Sequence, residues 1–146
     1  ENGGRAIACS DEHFGSKHNL NVAGRGIYMG DGWETARRRG PGNDWVIVAV
    51  GPRGETERGA IDKAPGEGTY PNRGSREALL RPADASVDAN SDDWRTLLPE
   101  QKLDMDRQHE FAAELNAIGA VSHVRMSIYP DGGISRLRLY GRPVAQ

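Results

Sequence analysis

From Met29 to Val50 the chain reads Met-Gly-Asp-Gly-Trp-Glu-Thr-Ala-Arg-Arg-Arg-Gly-Pro-Gly-Asn-Asp-Trp-Val-Ile-Val-Ala-Val, and most of its reactive side chains fall in this stretch. Two acids, Asp31 and Glu34, flank Trp33, and three arginines, Arg37, Arg38 and Arg39, follow at once. A pair of carboxyl groups can serve as general acid and base, and a ring that excludes water beside them raises a carboxyl pKa toward neutrality. A guanidinium fork suits a carboxylate, which it grips through two parallel hydrogen bonds. Gly30, Gly32, Gly40 and Gly42 let backbone approach a small ligand closely. The same composition also describes a solvated loop whose opposite charges cancel, and the cluster alone leaves both readings open.

Residues elsewhere extend the list. Asp62 closes the stretch Thr56–Asp62, which has strand character, and is a further candidate acid. His123 stands on an expected strand as a candidate proton shuttle, although alternation with Arg125 also suits an exposed face. His13 and His18 lie in a loop without a thiolate or a third ligand beside them, so no metal site is expected. Cys9 follows Ala6, Ile7 and Ala8 and is expected to be a buried, unreactive thiol.

The elements that hold these residues are short strands. Arg5–Ser10 reads as a first strand, followed by an irregular loop from Asp11 to Arg25. After the Met29–Gly42 loop, Trp45–Val50 is a buried strand by length and β-branched content, and Trp45 at its start is structural. Gly51-Pro52-Arg53-Gly54 reads as a turn, Thr56–Asp62 as the next strand, Lys63–Asn72 as loop and Ser75–Arg81 as a strand. Pro82–Asp93 is polar enough to form an exposed or poorly ordered excursion. Val121–Tyr129 alternates His123, Arg125 and Ser127 with Val124, Met126 and Ile128, the pattern of a half-buried strand. Pro130-Asp131-Gly132-Gly133 then predicts a hairpin turn that pairs this strand with Ile134–Tyr140, and Asp131 is a turn residue.

Composition bounds the remainder. At 146 residues the chain has the size of one domain, and 19 glycines with 8 prolines favour turns and short strands over long helices. A net charge of −2 offers no basic face for nucleic acid or an anionic membrane, and a single cysteine suits a reducing cytoplasm. No apolar run approaches the length needed to span a bilayer as a helix. The pattern as a whole predicts an all-β fold, a jelly-roll β-sandwich.

Met29–Thr35 together with Arg37–Trp45 resembles the signature of the allantoicase family, enzymes that split allantoate into ureidoglycolate and urea. Ala8-Cys9-Ser10-Asp11-Glu12-His13-Phe14-Gly15, with Asn19-Leu20, resembles the family's preceding segment, and His123-Val124-Arg125 with Ile128–Leu139 resembles its closing strands. The likeness spans nearly the whole chain, residues 1–146, as one repeat of an enzyme that typically carries two, most similar to the second. It departs at Asp62–Thr69, where the family's acid is kept and its histidine and asparagine are not.

The resemblance implies a jelly roll similar to galactose-binding domains and hydrolysis of allantoate in purine catabolism, with no cofactor. For Trp94–Ile118, where periodicity allows a helix from Pro99 to Asn116, it implies a strand ending at Leu97-Leu98-Pro99, another over Leu103–Phe111, and at most a short helix around Ala112–Ala117. Arg38, with Arg37 and Arg39, is then the candidate for the substrate carboxylate, Trp33 lies beside the substrate, and Glu34, Asp31, Asp62 and His123 are the candidates for proton transfer. The implied partners are the small-molecule substrate and a second copy or a second repeat. Two alternatives stay open: a non-catalytic small-molecule or carbohydrate-binding module, and a structural repeat of a larger enzyme.

Overall fold

The computed structural model describes residues 4–10, 17–21, 33–34, 43–63, 73–81, 87, 89, 93–102, 108–111, 115–116, 119–129 and 133–143. They form β1 (Arg5–Cys9), β2 (Trp33–Glu34), β3 (Asp44–Lys63), β4 (Arg73–Leu79), β5 (Arg95–Lys102), β6 (Gln108–Phe111), β7 (Val121–Tyr129) and β8 (Gly133–Pro143), with a 3₁₀ turn over Lys17–Asn21. No helix among the described residues is long and apolar enough to cross a membrane.

The 20-residue strand β3 organises the architecture. Its first half pairs antiparallel with β1 on one side and β7 on the other, and its second half with β6 and β8. Gly54 stands at the change-over, registered with Val121 of β7 and with Pro143 of β8. From Ala49 to Gly54 the strand advances five residues while its partner β7 moves only from His123 to Val121, so the ladder is broken and the strand turns out of its first sheet. Two layers result, β1-β3-β7-β4-β5 and β6-β3-β8-β2, which share β3. Strands that change sheet at a bend make the corners of such sandwiches.

The core lies between the layers. Ala6, Val46, Val48, Leu98, Met126 and Ile128 from one layer meet Trp33, Phe111, Ile134 and Leu137 from the other. One charge lies among them: Arg76 of β4 is wholly buried, and its Nη1 donates to the Arg138 carbonyl of β8 at 3.4 Å. Its guanidinium occupies the space that a Cβ on Gly59 of β3 would fill. Burial pulls its pKa down to about 9, which leaves the cation intact at neutral pH.

Several expectations change. Gly51–Gly54, expected as a turn between two strands, lies within the continuous β3: there the chain passes from one layer to the other and runs back toward the end at which β3 began. The 130–133 connection is not a hairpin: among the described residues β7 and β8 do not pair, since β3 lies between them in the strand order. Three residues link them and carry the chain from one layer to the other. The strand β4 runs from Arg73 to Leu79, two residues earlier than expected. The strand β5 continues through Pro99 to Lys102, which proline tolerates because β5 is an edge strand.

In the segment expected to hold a short helix, Leu115 and Asn116 are described and are not helical; Asn116 N–H donates to the Leu97 carbonyl at 2.7 Å. Cys9 is only partly buried, against the edge of the core. The alternation of β7 holds, with Val124, Met126 and Ile128 inward, yet its other face is also covered: His123 is 5% exposed and Ser127 3%. Two described residues of the stretch expected to be an exposed excursion, Ala89 and Asp93, are bonded to arginines of the sandwich. Arg125 Nη1 donates to the Ala89 carbonyl at 2.6 Å, its guanidinium lies 5.0 Å from the Trp94 ring centroid, and Asp93 pairs with Arg81.

Candidate functional site

Strand order sorts the candidate residues between two ends of the sandwich. At one end lie the close of β7, the start of β8, all of β2, both ends of β3 and the starts of β4 and β6. Glu34 is registered with Gly133 and Trp33 with Ile134 on one side of β8. On the other side Lys63 is registered with Ile134 and Asp62 with Arg136. Glu34 and Asp62 are therefore two strand spacings apart across the sheet and three residues apart along β8, about 14 Å in all, near the start of one strand. Asp31, Arg37, Arg38 and Arg39 lie outside the described residues; Glu34 and Asn43, which flank residues 35–42, are both at this end.

Local contacts fix those ends. Trp33, expected beside the substrate, is 0% exposed and packs in the core, where it anchors β2. Where the loop rejoins β3, Ser10 Oγ donates to Asp44 Oδ1 at 2.9 Å, Trp45 N–H donates to Ser10 Oγ at 2.9 Å, and Ser10 N–H donates to the Trp45 carbonyl at 2.9 Å. These bonds tie the exit of β1 to the start of β3. Arg138 Nη1 donates to the Leu20 carbonyl at 3.0 Å and holds the 3₁₀ turn against β8.

His123 belongs to the opposite end. It stands six residues before Tyr129 on β7, about 20 Å along the strand, registered with Ala49 and Leu79. Its Nδ1 lies 2.8 Å from Ser122 Oγ, and its pKa is lowered by burial first and then by the cations of Arg81 and Arg5. The structure thus brings Glu34 and Asp62 to one end and leaves His123 apart from them.

A polar network not anticipated from the sequence lies on the outer face of β4 and β7. Glu77 Oε1 accepts from Arg125 Nε at 3.1 Å and from Ser127 Oγ at 3.0 Å, and Glu77 Oε2 accepts from Ser75 Oγ at 2.9 Å. Tyr129 Oη is 3.3 Å from Ser75 Oγ. Alternation along β7 already puts Arg125, Ser127 and Tyr129 on one face. Only the register, which sets Glu77 opposite Arg125 and Ser75 opposite Ser127, brings the acid to them.

Comparison with known proteins bears on this arrangement. The model of the allantoicase family, described as an allantoicase repeat, matches residues 1–144. A protein of Pseudomonas savastanoi pv. phaseolicola named "Probable allantoicase" is 53% identical over 143 residues, covering 97% of this chain and 43% of its own length. The crystal structure of allantoicase from Saccharomyces cerevisiae superposes with a TM-score of 0.83 at 36% identity, over 97% of this chain and 41% of that one. The C-terminal domain of a chitobiase from Bacteroides fragilis shares the fold alone, with a TM-score of 0.71 at 12% identity, over 98% of this chain and 96% of that one. The chain spans less than half the length of the curated relatives it matches. With the family model matched over nearly its full length and a sandwich like that of the yeast protein, the chain belongs to the allantoicase family and forms an allantoicase repeat.

Proposed function

We propose that this repeat contributes to the hydrolysis of allantoate to ureidoglycolate and urea, with its site at the end of the sandwich where β2, β3 and β8 meet. The observation that carries the reading is the placement of Glu34 and Asp62 on either side of the start of β8, with the two residues that flank 35–42, Glu34 and Asn43, both at this end. The chemistry asks for what these residues offer. Water adds its oxygen to the central carbon of allantoate, the bond from that carbon to one ureido nitrogen breaks, and the nitrogen leaves with a proton as urea. A base takes the proton from water and an acid supplies one to nitrogen, the roles proposed for Glu34, Asp31 and Asp62. Arg38, flanked by Arg37 and Arg39, holds the substrate carboxylate. No cofactor enters this scheme. His123, at the far end, takes no direct part in it.

The length of the relatives supports a further element: the repeat, most similar to the second of its family, works beside other parts of a longer chain or beside a second copy. The test is urea release from allantoate by the purified protein and two variants. Arg38→Ala removes a hydrogen bond between charged groups, worth about 1.5–3 kcal/mol, so binding should weaken roughly 10- to 100-fold. Glu34→Gln keeps the shape but not the proton, so turnover should fall about 100-fold or more with binding little changed. Activity that neither substitution touches would move the site to other residues.

A further inference from the structure

The network on β4 and β7 has a defined proton order. Glu77 is ion-paired with Arg125, and its carboxylate only accepts hydrogen bonds. Ser75 has one hydroxyl proton, and at 2.9 Å it goes to Glu77 Oε2. Ser75 Oγ can then only accept in its 3.3 Å contact with Tyr129, so the phenol proton of Tyr129 points inward to Ser75. The phenol oxygen is left with its lone pairs as the group it offers outward.

Tyr129 closes β7 at the end of the sandwich that carries Glu34 and Asp62. It is registered with Arg73, the first residue of β4, and stands four residues before Gly133, the partner of Glu34. Its ring is half-buried, and Ser75 is its one hydrogen-bond partner among the described residues. The serines and Arg125 hold Glu77 from three directions, and Arg125 is held in turn by the Ala89 carbonyl and by Trp94. The chain of bonds from Arg125 through Glu77 and Ser75 thus sets the orientation of the Tyr129 hydroxyl, on the outer face of β4 and β7 beside the end of the sandwich.

We propose that Tyr129 is a binding residue of this end of the sandwich and that its phenol oxygen accepts an N–H from a ureido group of the ligand. The proposal rests on the functional reading above and adds the acceptor for the neutral, donor-rich part of the substrate. Ser75 and Glu77 are positioning residues, because they act only through the direction of the phenol proton. A ligand with no N–H or O–H donor at this point has nothing to give this oxygen, so the contact favours donor-bearing ligands such as ureido compounds over simple carboxylates.

Two measurements test it. In the urea-release assay, Tyr129→Phe should raise KM for allantoate about 3- to 10-fold, the worth of one neutral hydrogen bond, with kcat and melting temperature within error of the parent. Ser75→Ala, which frees the phenol proton to turn outward, should raise KM in the same direction by less. In the second measurement, unmodified protein labelled at the tyrosine ζ-carbon is titrated with hydantoate, which carries one ureido group and one carboxylate. The Tyr129 resonance should shift saturably, and acetate should not shift it.

The two arms separate the proposal from the activity. A saturable shift without urea release would support the ureido contact while removing the hydrolytic reading. Urea release with an unchanged KM in Tyr129→Phe and no shift would overturn the contact and leave the hydrolytic reading in place. A parallel loss of melting temperature and kcat in Tyr129→Phe, again without a shift, would reduce Tyr129 to a structural residue and also overturn the proposal.

Discussion

A histidine on a strand invites a catalytic role, and His123 shows what burial does to that invitation. Its imidazole, bonded to Ser122, is enclosed and faced by Arg81 and Arg5, and burial and then the two cations favour the neutral ring. The linkage has a definite sign. An unfolded histidine takes up its proton near pH 6.5 and the folded one lower, so between those values the unfolded state binds more protons and stability declines as pH falls below about 6.5. Below the folded pKa the loss levels off. Denaturation midpoints at pH 7.5 and 5.5 should differ in the parent and differ less in His123→Gln, and an equal difference in both would assign the titration to another group. The residue types of the proposed site stand together in one stretch of the chain, the acids with Trp33 and the arginines. The place of Trp33 in the core was not legible there, because an aromatic between two acids suits a pocket wall and a strand anchor equally. Glu77 was invisible as a partner for Arg125, for it lies 48 residues away and meets it only through strand register.

At the scale of elements, periodicity along single strands carried over well and pairing between strands did not. Alternation along β7 is a local property of nine residues, and it holds. The hairpin expected after it fails because turn residues report a change of direction and not which strand lies alongside. Gly51-Pro52-Arg53-Gly54 does mark a change of direction, but residue types do not say that the chain there crosses into the other layer within one continuous strand. The interlayer contact of Arg76 with β3 gives a test of the arrangement. Gly59→Ala sets a methyl group against the buried guanidinium and should destabilise the fold by about 1–3 kcal/mol, the usual cost of overpacking. In an Arg76→Ala background the same change should cost less, and denaturation of the four proteins of this cycle measures the coupling. Equal costs in both backgrounds would mean that the guanidinium is not lodged against Gly59.

For the whole molecule, length is the informative quantity. The repeat covers 43% of the length of a relative to which it is 53% identical. Sedimentation of this chain is expected to show self-association, and a monomer at all accessible concentrations would count against pairing between copies. The strand β3 carries a consequence for how the molecule comes to exist. Its two longest ladders join residues eighty apart in the chain, Val46 with Met126 and Gly59 with Leu139. Loop-closure entropy must be met before either ladder forms, which places such a topology among slow folders, on a timescale of milliseconds to seconds. A nascent chain cut short before β7 would have made β3 and left both of its main partners unsynthesised, so each layer would present bare backbone to any other chain nearby. The same strand that joins the layers in the finished protein is thus the segment for which synthesis must be completed before aggregation begins.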